Sequence, residues 1–565
     1  MNPKGPRKRS LYTLAKTCYD TRKRERSDPM PYPSRRSVTY ARGGMAATSV
    51  PLGAQVGTEI LRKGGNAVDA AVGMAAAMTV LEPPSNSLGA DCFALIWMEG
   101  KLYGLNGSGR APQAVSAELL RSMGHEEVPL RGWLPVMVPG AAAAWAEAVG
   151  RFGRLPFREV LAPAIRYARE GYPVPATTAR LWEKSFREIT ETVGGPDTCP
   201  EAFRGWFSTF APEGHAPKEG EVWRSEAIAR TLERIAESNG KDLYIGYTAK
   251  KIDEFARRTG GLLRYEDLAA YAPEWVDPIS TDYQGVTVHE IPPNGHGISV
   301  LMALELLKGL PLGGEKEDPR TYHAMIECMK LALSDAKAHV ADPAAMEVTV
   351  RQLLSEDYAA RRRALIRPDR ACAAVPGNPN CGDTVYLCTA DGEGNMVSFI
   401  QSHYKEFGSW VVEPETGMEL QNRGANFYLD PASPNCIAPG KRAYHTIIPG
   451  FLTKDGQALG PFGVMGEFMQ PQGQLQVLVN MLHYGMDPQQ ALDAPRWQWV
   501  GGNTIQVEEG VSAEIVEGLR ALGHEVEVIT DPIKMGRGEI ILRHPVTGVI
   551  QGAAEPRCDG TVSCY

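Results

Sequence analysis

Residues 67–81 read Ala-Val-Asp-Ala-Ala-Val-Gly-Met-Ala-Ala-Ala-Met-Thr-Val-Leu, with Asp69 the only charged side chain. Asn66 supplies an N-cap acceptor just ahead of the run, and Asp69 stands at the third helical position, where it reaches back to the cap N–H. Pro83-Pro84 ends the segment. A helix of this composition has no polar face to offer to water, so it must be covered on all sides. Just upstream, Leu52, Val56, Ile60 and Leu61 repeat at helical spacing and stop at Gly64-Gly65, where positive φ is tolerated. Together the two segments predict a helical hairpin buried against a sheet. A chain of 565 residues, 43% hydrophobic and 22% charged, has room for such a core and is neither fibrous nor disordered.

The other helical patterns are amphipathic. They fall over 115–195 and 217–272 with Pro- and Gly-rich joints, over Gly297–Leu307, and over Thr321–Val340. Beyond Pro379 the period changes to that of strands. Thr384–Ala390 and Met396–Gln401 flank Asp391-Gly392-Glu393-Gly394, a hairpin signal. Thr446–Leu452 and Ala458–Val464 flank Lys454-Asp455-Gly456, and Glu539–Arg543 and Val549–Gly552 flank 545–548. Helices are expected over Gln474–His483 and Pro488–Leu492. The pattern predicts an α+β chain whose helices cover antiparallel sheets built by both halves.

Composition narrows the function. With 59 basic and 67 acidic residues the net charge is −8, so no overall positive field draws a nucleic-acid backbone. The ten cysteines show neither C-x-x-C nor zinc-like spacing, which suggests reduced thiols and a cytoplasmic protein. No apolar run of about 18 residues and no signal-peptide core is found, so no membrane partner is expected. Residues 1–36 are basic and polar and are expected to form a disordered tail. Phosphate-binding loops, H-E-x-x-H and calcium-loop patterns are lacking, and Asn106-Gly107-Ser108-Gly109-Arg110 misses G-x-S-x-G at both ends. No metal or cofactor is therefore expected. Taken alone, Gly463–Gly466 reads as a turn, and Thr384, after Cys381-Gly382-Asp383, as the first residue of a strand.

In order along the chain, however, stand Lys63-Gly64-Gly65-Asn66-Ala67-Val68-Asp69-Ala70-Ala71, Met329-Lys330-Leu331-Ala332, Ala341-Asp342-Pro343 and Gly382-Asp383-Thr384. Pro439-Gly440-Lys441-Arg442, Asp493-Ala494-Pro495-Arg496 and Glu555-Pro556-Arg557 follow. Through these motifs the chain from Thr39 to Tyr565 resembles the gamma-glutamyltranspeptidase family, whose members are made as one precursor and cut themselves ahead of a threonine. The resemblance implies the four-layer αββα sandwich of N-terminal-nucleophile hydrolases, with antiparallel sheets between helical layers. It further implies cleavage between Asp383 and Thr384, with residues 37–383 and 384–565 remaining as two associated chains of one catalytic domain, and it leaves room for a homodimer of precursors.

An N-terminal threonine combines nucleophile and base, because a free α-amine of pKa about 7.7–8.0 is partly neutral near pH 7 and takes the hydroxyl proton. Carried over by motif, Thr384 is that nucleophile, Ser402 its hydroxyl partner, and Gly466 with Glu467 the oxyanion donors. Glu467 stands where the family has a second glycine. Either its backbone is strained and its carboxylate lies near the developing charge, or it keeps the backbone donor and turns to solvent.

The pocket positions depart from the glutathione-binding pattern. The place of the family's arginine clamp is held by Ser108, with Arg110 two residues on. The aspartate that pairs with a substrate ammonium aligns with Asn426, and neighbouring anchors align with Arg423, Tyr404, His445 and Thr446. Losing one partner of a buried charge pair costs about 3–5 kcal/mol, so glutathione is disfavoured. Arg110 or Arg423 suits a carboxylate instead, unless each pairs with an acid of the protein. The pattern resembles the subgroup with cephalosporin acylases and oxamate amidohydrolase, implying an amidohydrolase for a small carboxylate-bearing amide. The alternatives are a true gamma-glutamyl hydrolase or transferase acting on glutathione, and an unprocessed relative acting as a binding protein.

Overall fold

The structure, a computed structural model, describes residues 36–372 and 384–565. Two seven-stranded sheets form its centre. The first runs Thr561–Cys564, Gly44–Thr48, Val385–Asp391, Met396–Ser402, Asp91–Met98, Lys101–Gly107 and Glu274–Val276. The second runs Thr39–Ala41, Ile550–Ala554, Arg537–Arg543, Gln457–Met465, Gly450–Lys454, Val286–Glu290 and Ile279–Tyr283. Pairing within both sheets is antiparallel.

Strand periodicity sorts the side chains into layers. Along Val385–Asp391, Val385 and Leu387 join an outer helical core, whereas Tyr386, Cys388 and Ala390 face the other sheet. Ala94 and Ile96 likewise point outward while Phe93, Leu95 and Trp97 point inward, where Phe451, Met465 and Ile541 of the second sheet meet them. Pro51–Arg62 and Ala67–Leu81 cover the first sheet, with Phe157–Glu170 packed on Ala67–Leu81. Ile298–Leu307 and Met469–Leu478 cover the second, with Pro319–His339 packed on Ile298–Leu307. The result is the expected αββα sandwich.

The Ala67–Leu81 helix is buried along its whole length, and its capping box forms with Asp69 N–H on Asn66 Oδ1 at 3.1 Å and Asn66 N–H on Asp69 Oδ2 at 2.9 Å. Gly73 lets it touch its partner helix: a Cβ there would lie 2.0 Å from Ile60 Cδ1.

Some expected boundaries move. The strand expected from Thr446 begins at Gly450, because the preceding backbone is committed to the site: Thr446 C=O accepts from His296 and Ile448 N–H donates to Gln470. The helix expected from Gln474 starts at Met469, with Pro471 in its first turn, where a missing N–H costs no bond. Two hairpins of the N-terminal half, Asp91–Gly107 and Ile279–Glu290, are additions to the sequence reading. The expected tail and the expected scissile segment, including Cys381, Gly382 and Asp383, lie outside the described residues. Among the described residues no helix is long and apolar enough to cross a membrane.

Candidate active site

Thr384 opens the Val385–Asp391 strand and is 1% exposed. The register that pairs Val385 with Gln401 brings Ser402 alongside, and Thr384 Oγ1 donates to Ser402 Oγ at 3.4 Å. Ser402 Oγ also accepts the Tyr404 N–H at 2.8 Å, a bond that helps hold Tyr404 at φ 88°. Gln470 Nε2 donates to Thr384 Oγ1 at 3.3 Å, and its Oε1 accepts Ile448 N–H at 3.0 Å, which fixes the orientation of the amide. From the facing sheet, Arg537 donates to the Thr384 carbonyl at 3.2 Å and pairs with Glu82 at 2.6 Å.

Gly466 and Glu467 form the bend between the Gln457–Met465 strand and the Met469–Leu478 helix, with φ of 128° and 50°. Neither backbone N–H has a hydrogen-bond partner among the described residues, and both lie at the positive end of the helix dipole, where an anion is favoured. Glu467 does not turn to solvent. Its carboxylate is fully buried and meets Lys405 Nζ at 2.9 Å. Burial pushes its pKa up to about 7, against the pull of Lys405. The positive φ costs a residue with a Cβ about 1–2 kcal/mol, and the lysine's charge opposes that of the carboxylate beside the bend.

Arg423 is buried, its guanidinium 4.7 Å from the Tyr404 ring centroid, and Nη1 donates to Thr446 Oγ1 at 2.6 Å. Arg423 Nε and Nη2 have no hydrogen-bond partner among the described residues, nor has Asn426 Nδ2. Both residues sit on the 3₁₀ turn Arg423–Asn426, in which positions three apart eclipse, so the three donors share one side. Burial lowers the Arg423 pKa to about 10, partly offset by the charge of Asp91. Asp91 is itself pushed up to about 7 by burial. It accepts from Gly109 N–H at 3.0 Å, Gln421 at 2.7 Å and His445 at 3.1 Å. Ile447 N–H donates to His445 Nδ1, which leaves the ring proton on Nε2, toward Asp91.

Ser108 and Arg110 are turned to other partners. The Ser108 hydroxyl donates to Asn106 Oδ1 at 2.6 Å. Arg110 bonds Glu274 at 2.9 Å and the Gly440 carbonyl at 3.1 Å, with its side chain 40% exposed. Thr384 and Ser402 thus touch, Glu467 is linked to Thr384 through Gln470, whose N–H donates to the Glu467 carbonyl, and Tyr404, Arg423 and Thr446 form an adjoining group with Asn426 on the same turn as Arg423 and His445 behind them through Asp91.

One cluster among the described residues has metal-ligating atoms in reach of each other, His323, Glu327 and His524. The atoms that face one another are already bonded: His323 Nδ1 and His524 Nε2 share a bond at 2.9 Å, and Lys330 Nζ pairs with Glu327 at 2.8 Å. These contacts tie the Pro319–His339 helix to the turn at His524.

Residues 53–565 match the profile of the gamma-glutamyltranspeptidase family. The chain belongs to that family. A solved cephalosporin acylase from Bacillus halodurans is 53% identical, with a TM-score of 0.91 over 95% of this chain and 99% of that one. A glutathione hydrolase-like proenzyme of Bacillus subtilis is 35% identical over 90% of this chain and 96% of its own length. An oxamate amidohydrolase proenzyme of Klebsiella pneumoniae is 33% identical over 92% and 98%.

Membership in the gamma-glutamyltranspeptidase family made the motif-bearing residues legible, but Gln470, Lys405, Arg537 and Asp91 were not singled out in the sequence. One signal was present. Gln470, Gln472, Gln474 and Gln476 punctuate a helix that is otherwise apolar, and four buried amides need four sets of partners. Three of them tie the helix to neighbouring backbone, and Gln470 reaches the threonine.

Proposed function

We propose that this chain is a self-processing amidohydrolase that acts on small carboxylate-bearing amides through an ester on Thr384. The observation that carries the substrate assignment is the buried donor set Arg423 Nε, Arg423 Nη2 and Asn426 Nδ2 beside the threonine network. A carboxylate satisfies these donors, whereas an α-ammonium group would add a cation to Arg423. Asp91, the acid whose charge acts on Arg423, already accepts three bonds. Arg110, which a shifted gamma-glutamyl clamp would require, is engaged by Glu274. The relative named for oxamate, an amide that carries a carboxylate, supports the same reading.

In processing, Thr384 Oγ adds to the carbonyl carbon of Asp383 and the 383–384 C–N bond breaks. Water then cuts the resulting ester, leaving a carboxylate on Asp383 and a free amine on Thr384. In turnover, that amine takes the hydroxyl proton as Oγ bonds to the substrate carbonyl carbon. Ser402 and Gln470 hold Oγ in place. The N–H groups of Gly466 and Glu467 receive the oxyanion, one such donor being worth about 10²–10³ in rate. The substrate C–N bond breaks, the leaving amine departs with the proton, and water deprotonated by the same α-amine releases the acid. Arg423→Met is expected to lower kcat/KM for carboxylate-bearing amides by at least about 10², and to affect methyl-ended analogues far less. Equal loss on both, or wild-type turnover of a gamma-glutamyl anilide alone, overturns the assignment.

A further inference from the structure

Glu467 sets a buried carboxyl on the bend whose N–H groups are to receive an oxyanion, and once ionised it opposes the charge that develops there. Among the described residues one group answers it. Lys405 Nζ lies 2.9 Å from both carboxylate oxygens and is their one hydrogen-bond donor among those residues. The two side chains are 6% and 0% exposed, so water screens neither.

The loop that carries the lysine is held at every step. Lys405 N–H donates to Asn422 Oδ1 at 3.1 Å, and Asn422 Nδ2 donates to the Leu130 carbonyl at 2.8 Å. Arg131 donates to the Glu406 and Gly408 carbonyls at 2.8 and 2.6 Å. The Phe407 ring packs against Trp182, Trp206 and Phe210, with centroids 5.6, 5.0 and 4.9 Å away. An ammonium on so fixed a backbone is in place before charge develops and needs no reorganisation. The other charges nearby are engaged elsewhere. Glu406 is matched by Lys184 at 2.7 Å, Arg423 donates to Thr446, and Arg537 is paired with Glu82. Lys337 and His296 lie against the ring of the adjoining Phe468.

We propose that Lys405 is a positioning residue for the oxyanion site: its ammonium holds the Glu467 carboxylate and offsets its charge, so that the N–H groups of Gly466 and Glu467 act on the oxyanion unopposed. The inference rests on the acyl-threonine reading above and makes the two residues interdependent, since the lysine matters only because the glutamate is there. Burial already pushes the Glu467 carboxyl up to about 7 against the pull of Lys405. Without the lysine it keeps its proton to higher pH still, and the opposing charge appears only as that proton leaves.

The test is a double-mutant cycle on the cut full-length chain, its cleavage checked by intact mass, with oxalyl, succinyl and glutaryl 4-nitroanilides followed from pH 6 to pH 9.5. Lys405→Met is expected to stay within about threefold of wild type at pH 6 and to fall at least about tenfold behind it by pH 9.5, the loss lying in kcat with KM kept. In a Glu467→Gln background the same substitution is expected to cost less than about threefold at every pH, and Lys405→Arg is expected to restore the wild-type profile. A loss of equal size at all pH values, the same loss with glutamine at 467, or no loss at pH 9.5 overturns the role. If Lys405→Met yields no folded, cut chain, the chain with both Lys405→Met and Glu467→Gln decides alone: activity within about threefold of Glu467→Gln at pH 9.5 supports the role, and a larger loss overturns it. Wild type that hydrolyses none of the three anilides overturns the amidohydrolase reading and this inference with it.

Discussion

Glu467 is the residue at which the site differs most from a plain pair of glycine donors. Its backbone keeps the left-handed φ of 50°, so the bend survives the substitution, and its side chain finds Lys405 rather than water. Because its folded pKa of about 7 lies above the usual carboxylate value of about 4.3, the folded state holds a proton that the unfolded state has lost in between. Its contribution to stability is therefore full below about pH 4.3 and lost as pH rises through about 7. Urea unfolding of wild type and Glu467→Gln should give nearly equal stabilities at pH 5, where the neutral carboxyl and the amide are alike. By pH 8 the wild type should fall behind by an amount on the order of 2 kcal/mol. A difference that does not change with pH would show that Lys405 keeps the carboxylate ionised throughout. The position of Glu467 could be read from the sequence through its family motif, but its partner could not, since nothing local links residues 405 and 467.

Among the elements, hairpins were legible where the turn chemistry was explicit and hidden where it was not. Asp391-Gly392-Glu393-Gly394 and Asp455-Gly456 announced theirs. The hairpins at Glu99-Gly100 and Gln284-Gly285 use the same left-handed pair as Asp455-Gly456, with φ of 52° and 78° and of 51° and 77°, but place Glu and Gln where Asn or Asp gives the signal. The strand Asp91–Met98 is also buried on both faces, which erases the alternation that marks a strand. Between the sheets, packing leaves no slack at Gly463, where a Cβ would stand 2.3 Å from the Tyr386 ring. Gly463→Val should therefore destabilise the sandwich by about 1–3 kcal/mol and lower its melting temperature in calorimetry. An unchanged melting temperature would mean that the sheets part more easily than their fit implies.

Over the whole molecule, the strand that begins after Thr384 lies between Gly44–Thr48 and Met396–Ser402, and the latter pairs with Asp91–Met98. Strands from either side of the expected cut are thus interleaved in one sheet, and the buried pair Glu82–Arg537 joins the two sides again. A nick ahead of Thr384 would free an amine without freeing a domain. The αββα architecture followed from the sequence through its family motifs, whereas the pairing of distant strands and the burial of Glu82 against Arg537 depend on contacts that no local pattern encodes. The most direct test is the intact mass of purified wild type and Thr384→Ala, read beside their amide hydrolysis. The account predicts that wild type co-elutes as two chains on gel filtration, the smaller being the C-terminal 182 residues starting at Thr384, and is active, whereas Thr384→Ala stays one chain without turnover. Activity from an uncut wild-type chain, or undiminished activity with alanine at 384, would contradict it.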